Sequence, residues 1–391
     1  MAAVDIMLEM AEPAPAVPRR VPLRFERVAI TSIWGDPLAP GTWSGAPANL
    51  AAALQQHGVA VEGIAPRLDR SALALLAARH LLHRRQIPSL ERVLRSAAAR
   101  RRHAATVAEA AARHGFRDVL HTGTLDLPAL MLPPGVRHYL YCDQTWDLSL
   151  RYRPDADRYD AREREDHERL ERAALHQLAH VFTFGRYIRD NMITHYGLSP
   201  DRVTAVGSGM GAIAPWSGPK SYAPPRLLFV AKHLFLAKGG RLVVDAFLMA
   251  RRRRPDLTLT IVGDARSRRF VPKHAGITFH DHLPWTALQQ LYREASLLVE
   301  PMINDPWGQV YLEALLSRTP PIGLDRNGLP EIIGGGKYGF LVREASAAAL
   351  AETILDASSD PDRLAAMAEA GQRHALSTYS WERTAERIAF G

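Results

Sequence analysis

The sequence predicts an α/β protein built from two doubly wound parallel sheets. Its 391 residues exceed what one ordinary hydrophobic core serves, so two domains are expected. Apolar strand-like runs alternate with helical patterns along both halves. Between the halves lies a Pro- and Ser-rich stretch, PWSGPKSYAPP at 215–225, whose composition is that of a linker. The expected division is a disordered leader at 1–24, a first domain at 25–212, a linker at 213–225, a second domain at 226–374 and a tail at 375–391.

Taken in order, the leader mixes acids, prolines and alanines without the basic-then-apolar pattern of an export signal. Arg27 to Trp34 (RVAITSIW) reads as a strand. The loop GDPLAPGTWSG then leads into a helix from Pro47 to Gln56 that Gly58 stops. Ser44 and Gly45 precede that helix, where backbone N–H groups can face a phosphate or an acceptor; taken as a lone glycine turn, an ordinary strand-to-helix connection is the favoured reading. Leu120, His121 and Thr122 end another strand, and His121 is a weak acceptor-side candidate. Arg137 to Cys142 (RHYLYC) is a further strand with Asp143 at its carboxyl end. Gln144 and Trp146 follow as candidates to line an acceptor pocket. Gly207, Gly209 and Gly211 spell GxGxG, which is assigned to turn chemistry and to no cofactor.

In the second half, Arg226 to Ala231 (RLLFVA) has the continuous apolar character of a fully buried strand. Lys232 ends it, and Lys238, Gly239 and Gly240 open a helix through Leu242, Val243, Phe247 and Leu248. Two lysines thus flank a strand-to-helix crevice, the place where open α/β sheets bind ligands. A nucleotide diphosphate brings about two negative charges there, which lysines and helix-start N–H groups neutralise without a metal. Asp305 then precedes a helix of Gln309 to Leu316 that carries Glu313, with Trp307 and Gly308 making the turn. Both carboxylates can border one cleft and accept hydrogen bonds from neighbouring sugar hydroxyls. A second glycine turn, Asn327 and Gly328, leads to Leu329 and Glu331.

These residues carry a resemblance. RLLFVAKHLFLAKGGRLVVDAFLMARRRRPDLTLTIVGD, the segment DPWGQVYLEALLSRTPPIGLDRNGLPE and GFLV at 339–342 resemble the donor half of family 4 (GT4) retaining glycosyltransferases. The resemblance implies the GT-B fold: two Rossmann-like doubly wound parallel-sheet domains, an interdomain cleft, and a C-terminal helix crossing back to the first domain. It places Lys232 and Lys238 on the donor diphosphate, Glu313 on the ribose hydroxyls and Asp305 on the donor sugar. Asp143 falls beside the reacting carbon, Gly45 faces the donor across the cleft, and Gly308, Gly328 and Leu329 join the donor-binding set. Two departures stand out: Asp305 replaces the usual glutamate, and Ala231-Lys232 replaces the usual glycine-arginine, giving a point charge instead of a bidentate fork. The implied activity is metal-independent transfer of a hexosyl unit from a UDP- or GDP-sugar to an acceptor hydroxyl, in glycan, polysaccharide or glycolipid biosynthesis. Alternatives on the same architecture are a nucleotide-sugar epimerase, a sugar phosphorylase, or a membrane-associated partner protein without turnover.

Composition bears on the partners. The formal net charge is +8, and twelve arginines against three acids fall between Arg67 and Arg117, interleaved with leucines. Such a stretch suits an anionic membrane surface and a lipid-linked acceptor; it equally suits the solvated faces of ordinary helices. No aromatic-basic platform accompanies the charge, so nucleic acid is not expected. A single cysteine, Cys142, excludes an internal disulfide and suggests a reducing, cytoplasmic setting, peripheral to the membrane where the basic stretch docks. Asp155-Ala156-Asp157 spells D-x-D within a highly charged segment that reads as a solvated helix. His280, Asp281 and His282 lack further ligands at metal spacing, so no metal is expected.

Overall fold

The computed structural model describes residues 24–66, 68–84, 89–127, 135–153, 156–211, 213–231 and 234–391. Two six-stranded sheets organise the chain. The first contains β1 (Arg27–Thr31), β2 (Ala60–Ile64), β3 (Asp118–Thr122), β4 (Arg137–Cys142), β5 (His180–Thr183) and β6 (Val203–Ala205) in the order β2-β1-β3-β4-β5-β6. The second contains β7 (Arg226–Val230), β8 (Thr258–Gly263), β9 (Ile277–Asp281), β10 (Leu297–Val299), β11 (Pro321–Leu324) and β12 (Phe340–Val342) in the order β12-β11-β10-β7-β8-β9. Every pairing is parallel. Parallel strands need crossover connections, and helices cover both faces, so strands such as VLHT and LLFV are buried along their length. In each sheet the chain reverses its direction of winding once, between β1 and β3 and between β7 and β10. Those reversals open crevices at the carboxyl ends of the strands.

The expected fold is therefore the observed one, and the helix of Gln309–Leu316 has the bounds read from the sequence. The helix Trp381–Phe390 lies against Ala46–Gln56 of the first domain. Ala389 accepts the Arg24 N–H at 2.7 Å, and the Arg387 guanidinium donates to the Val206 carbonyl at 3.2 Å. Between the sheets the glycines at 209 and 211 serve close approach rather than turn chemistry alone. A Cβ on Gly209 would lie 2.1 Å from the Trp381 ring, and one on Gly211 would lie 2.8 Å from Glu313 Oε1.

Two readings of the charged segments are corrected. Several charges assigned to solvated helix faces are internal: Arg92, Arg95 and Arg100 on one side, Glu163 and Glu171 on the other, are all buried. Arg92 Nε lies 2.8 Å from Glu163 Oε1 and Arg95 Nη1 3.4 Å from Glu171 Oε2. Glu171 also accepts the Trp146 N–H at 2.7 Å and the Tyr196 hydroxyl at 3.0 Å. Buried charges persist only when paired in this way, and periodicity alone does not show pairing between elements 70 residues apart. Of the D-x-D, Asp155 lies outside the described residues. Among the described residues no helix is long and apolar enough to cross a membrane.

Candidate functional site

The carboxyl ends of both sheets converge on one cleft, and its two walls are tied by side chains whose partners lie across it. Tyr187, just after β5, places its hydroxyl 2.6 Å from the Pro306 carbonyl of the second domain and 3.1 Å from the Asp143 carbonyl of the first. Glu331 Oε2 accepts the Arg186 N–H at 2.7 Å. Trp307 is buried and donates from Nε1 to Ser208 Oγ at 2.8 Å, with its ring against Phe184 and Tyr379. Phe184 in turn packs on Trp43 at a centroid distance of 5.4 Å. The first-domain loop is thereby drawn to the cleft, where Trp43, Ser44 and Gly45 all have positive φ, 45°, 55° and 81°. Gly45 relieves the last of these, since the left-handed region penalises a Cβ. Ser44 is exposed beside it and Gln144 half-buried after β4.

On the second-domain wall, the loop after β7 delivers Lys238, and Gly239 (φ 91°) turns it into the helix Gly240–Arg253. Lys238 Nζ lies 3.7 Å from Asp305 Oδ2 and 3.9 Å from Glu300 Oε1. These acids, with Glu313 further off, raise the lysine above its ordinary pKa against the opposing effect of burial, so it is cationic at any physiological pH. Asp143, just after β4, faces Asp305 across the cleft. Burial, with the Asp305 charge adding to it, pushes its carboxyl up to about 7, which makes it a group able to hold or release a proton near neutrality. Glu313 is buried, and Tyr292 donates its hydroxyl to Oε2 at 2.9 Å. Gly308 (φ 78°) caps the Glu313 helix, and a Cβ there would lie 2.7 Å from the Tyr311 ring.

The structure thus brings Asp143, Lys238 and Asp305 together, sets Glu313 two turns further on, and places Ser44 and Gly45 across the cleft. Lys232 lies outside the described residues. Gly328 is corrected in one respect: its N–H donates to the Pro306 carbonyl at 3.0 Å, so it braces the Asp305 loop instead of offering that donor to a phosphate. Leu329 buries its side chain beside Gly323, leaving only its backbone for a donor.

Two acceptor-side candidates are corrected outright. Trp146 is fully buried, with the Arg95 guanidinium 4.5 Å above its ring and Tyr159 at its edge. It is a core residue. His121 is fully buried as well, with Nδ1 3.1 Å from Thr31 Oγ1 and Nε2 2.9 Å from His138 Nδ1. Desolvation holds it well below the usual imidazole range, so it stays neutral inside the first domain and reaches no acceptor. Asp126, which accepts from Thr31 and from the Ile33 N–H, completes that internal network.

Residues missed by sequence reasoning are Glu300, Tyr187, Tyr292 and Trp307 as a bridge between walls. Glu300 alone left a signal, an acid closing the apolar run LLVEP. The tyrosines read as ordinary amphipathic positions.

Comparison with known proteins agrees with this geometry. Residues 218–374 match the family described as Glycosyl transferases group 1. Alpha-maltose-1-phosphate synthase of Mycolicibacterium smegmatis is 26% identical over 247 residues, covering 56% of this chain and 64% of that protein. D-inositol 3-phosphate glycosyltransferase of Corynebacterium kroppenstedtii is 27% identical over 226 residues, covering 51% of this chain and 50% of the relative. The chain therefore matches only about half to two thirds of the length of these relatives. Among solved structures, sucrose-phosphate synthase from Thermosynechococcus elongatus superposes with a TM-score of 0.70 at 17% identity, covering 93% of this chain and 97% of the other. Anabaena HepE, solved in complex with UDP-glucose, gives 0.61 at 15% identity, covering 93% and 98%. These structures share the two-sheet GT-B fold with this protein, whose residues 218–374 match the glycosyl transferases group 1 family.

Proposed function

We propose that this protein is a retaining glycosyltransferase that moves a hexosyl unit from a nucleotide-diphosphate sugar to an acceptor hydroxyl without a metal ion. The observation that carries the reading is Lys238, a partly buried cation 3.7 Å from Asp305 at the floor of a cleft between two doubly wound domains. Breaking the anomeric bond leaves charge on the departing diphosphate. A preorganised ammonium at that point stabilises the transition state more than the ground state. Asp305 is in reach of the donor sugar, and Asp143 stands opposite as a hydrogen-bonding partner near the reacting carbon. Retention of configuration and the UDP- or GDP-sugar class rest on the family resemblance; the UDP-glucose complex of HepE supports the donor class. The test is metal-free incubation with UDP-, GDP- and ADP-sugars and a panel of small-sugar and membrane extracts, following nucleotide by mass spectrometry. Acceptor-dependent release of one nucleotide is the expected result; absence of release from every donor would overturn it.

Glu313 is assigned to the ribose hydroxyls, with Tyr292 fixing its carboxylate. Replacing a charged acceptor by a neutral one removes about 1–1.5 kcal/mol for each hydrogen bond it receives. Glu313→Gln is accordingly expected to weaken nucleotide binding about tenfold or more while leaving inorganic pyrophosphate binding unchanged. Equal affinity for the nucleotide would remove Glu313 from the ribose.

The acceptor surface is proposed to meet an anionic membrane through the helix Arg70–Arg84. Leu75 is 62% exposed and Leu82 81% exposed there, with Arg70 and Arg79 also at the surface. Leucines that face water beside arginines suit insertion at a headgroup boundary. Sedimentation with phosphatidylglycerol vesicles is expected to carry down the wild-type protein, and Leu75→Ser with Leu82→Ser to abolish it. Equal recovery of both proteins would leave the helix as an ordinary surface.

A further inference from the structure

Glu300 follows β10 at the reversal between β7 and β10, the crevice that holds Lys238. It is fully buried. Its Oε2 accepts the Val230 N–H at 3.0 Å, while Oε1 has no hydrogen-bond partner among the described residues and points at Lys238 Nζ from 3.9 Å. The lysine is therefore held between Glu300 and Asp305 by ion pairs at 3.9 and 3.7 Å, longer than close hydrogen bonds, so it gives up little on swinging to a new partner. We propose that Glu300 is a positioning residue that shares a proton equilibrium with Lys238: its ionised form is balanced by the lysine, and its protonated form is favoured once a nucleotide diphosphate takes over the lysine. The proposal rests on the nucleotide-sugar reading above.

The charge balance around Glu300 requires such a proton. Among the described residues the groups facing it are Lys238, Asp305 and Glu313, with the phenols of Tyr292 and Tyr311; Asp143 faces Asp305 from the first domain. Only the lysine favours the ionised carboxyl among these. A diphosphate adds about two negative charges and engages the cation, leaving a buried carboxylate uncompensated, a state that proteins avoid by protonation. Burial already pushes Glu300 up to about 8, with Lys238 opposing. A bound diphosphate raises it further, so the protonated form binds the donor more tightly. Affinity is then highest below about pH 8 and falls as pH rises between the donor-free and donor-bound values.

Calorimetric titration of the full chain with UDP and GDP at about pH 8.5, in two buffers of different ionisation enthalpy, measures the protons taken up. Wild type is expected to take up protons, about half a proton of it from Glu300, and to lose about threefold to tenfold in affinity between about pH 7 and about pH 9, since a carboxyl whose pKa is about one higher in the complex than in the free protein changes the affinity about tenfold. Glu300→Gln keeps an acceptor for the Val230 N–H and should lose that share of uptake and flatten the affinity profile; Asp143→Asn should retain it. Uptake by Glu300→Gln equal to wild type would overturn the proposal alone. Absence of binding of either nucleotide to the wild type would overturn the nucleotide reading, and this one with it. Should Glu300→Gln fail to fold by thermal unfolding, the Asp143→Asn variant decides: a flat affinity profile in it is against the proposal and a falling one for it.

Discussion

Lys238→Ala is expected to lower glycosyl transfer by about 10²–10³-fold, the range found when one preorganised donor to developing charge is removed, while the chain remains folded. The argument for retained folding is local. The lysine backbone stays in place, with its N–H on the Leu234 carbonyl at 2.9 Å and its carbonyl on the Met302 N–H at 3.0 Å. Glu300, already raised to about 8, answers the loss of its cation by holding a proton. The loss should fall mainly on kcat, because the charge that Lys238 meets is larger in the transition state than in the bound donor. Steady-state kinetics beside a thermal melt separate the cases. Near-normal kcat in a folded variant would take Lys238 out of the mechanism, whereas a collapsed melt would assign it a structural role.

Trp307→Ala should have the largest effect on stability, about 3–5 kcal/mol, seen as a fall of roughly 10 °C in melting temperature. Its ring fills the junction of first domain, second domain and tail. A Cβ on Gly185 would come within 2.8 Å of it and one on Gly328 within 2.7 Å, so the surrounding backbone closes around the indole and cannot easily collapse into the space it leaves. The Ser208 hydroxyl loses its partner as well. Because Trp307 adjoins Pro306, whose carbonyl receives both the Tyr187 hydroxyl and the Gly328 N–H, the same change should loosen the Asp305 loop and lower transfer. Denaturant unfolding with parallel activity measures both; a variant that melts like wild type would show the junction to be replaceable.

Much of the fold was legible because parallel strands buried on both faces appear as unbroken apolar runs. RLLFV and RHYLYC could be nothing else, and each is followed by the polar residues of a strand end. Lys238, Asp305 and Glu313 were legible because the turn glycines at 239 and 308 fix their places relative to two helix starts. Contacts between remote elements left no such mark. Nothing in the local pattern around Trp146 distinguishes a pocket wall from a residue stacked under Arg95, and the strand-end placement of His121 did not reveal Thr31 and His138 on neighbouring strands. The buried pairs Arg92–Glu163 and Arg95–Glu171 likewise looked like solvated helix charge, since pairing across 71 and 76 residues is a property of the folded chain. Gly328 was recognised as a turn, but its N–H was given to a ligand when a carbonyl of the neighbouring loop had already taken it.

A donor diphosphate is expected to sit on Lys238 with its ribose on Glu313. A crystal structure of the protein with bound UDP or GDP, whichever nucleotide the donor panel selects, tests this directly. A phosphate oxygen is expected within about 3 Å of Lys238 Nζ and both ribose hydroxyls at the Glu313 carboxylate, at ordinary hydrogen-bond distances. A nucleotide bound elsewhere, with Lys238 still resting between Asp305 and Glu300, would contradict it.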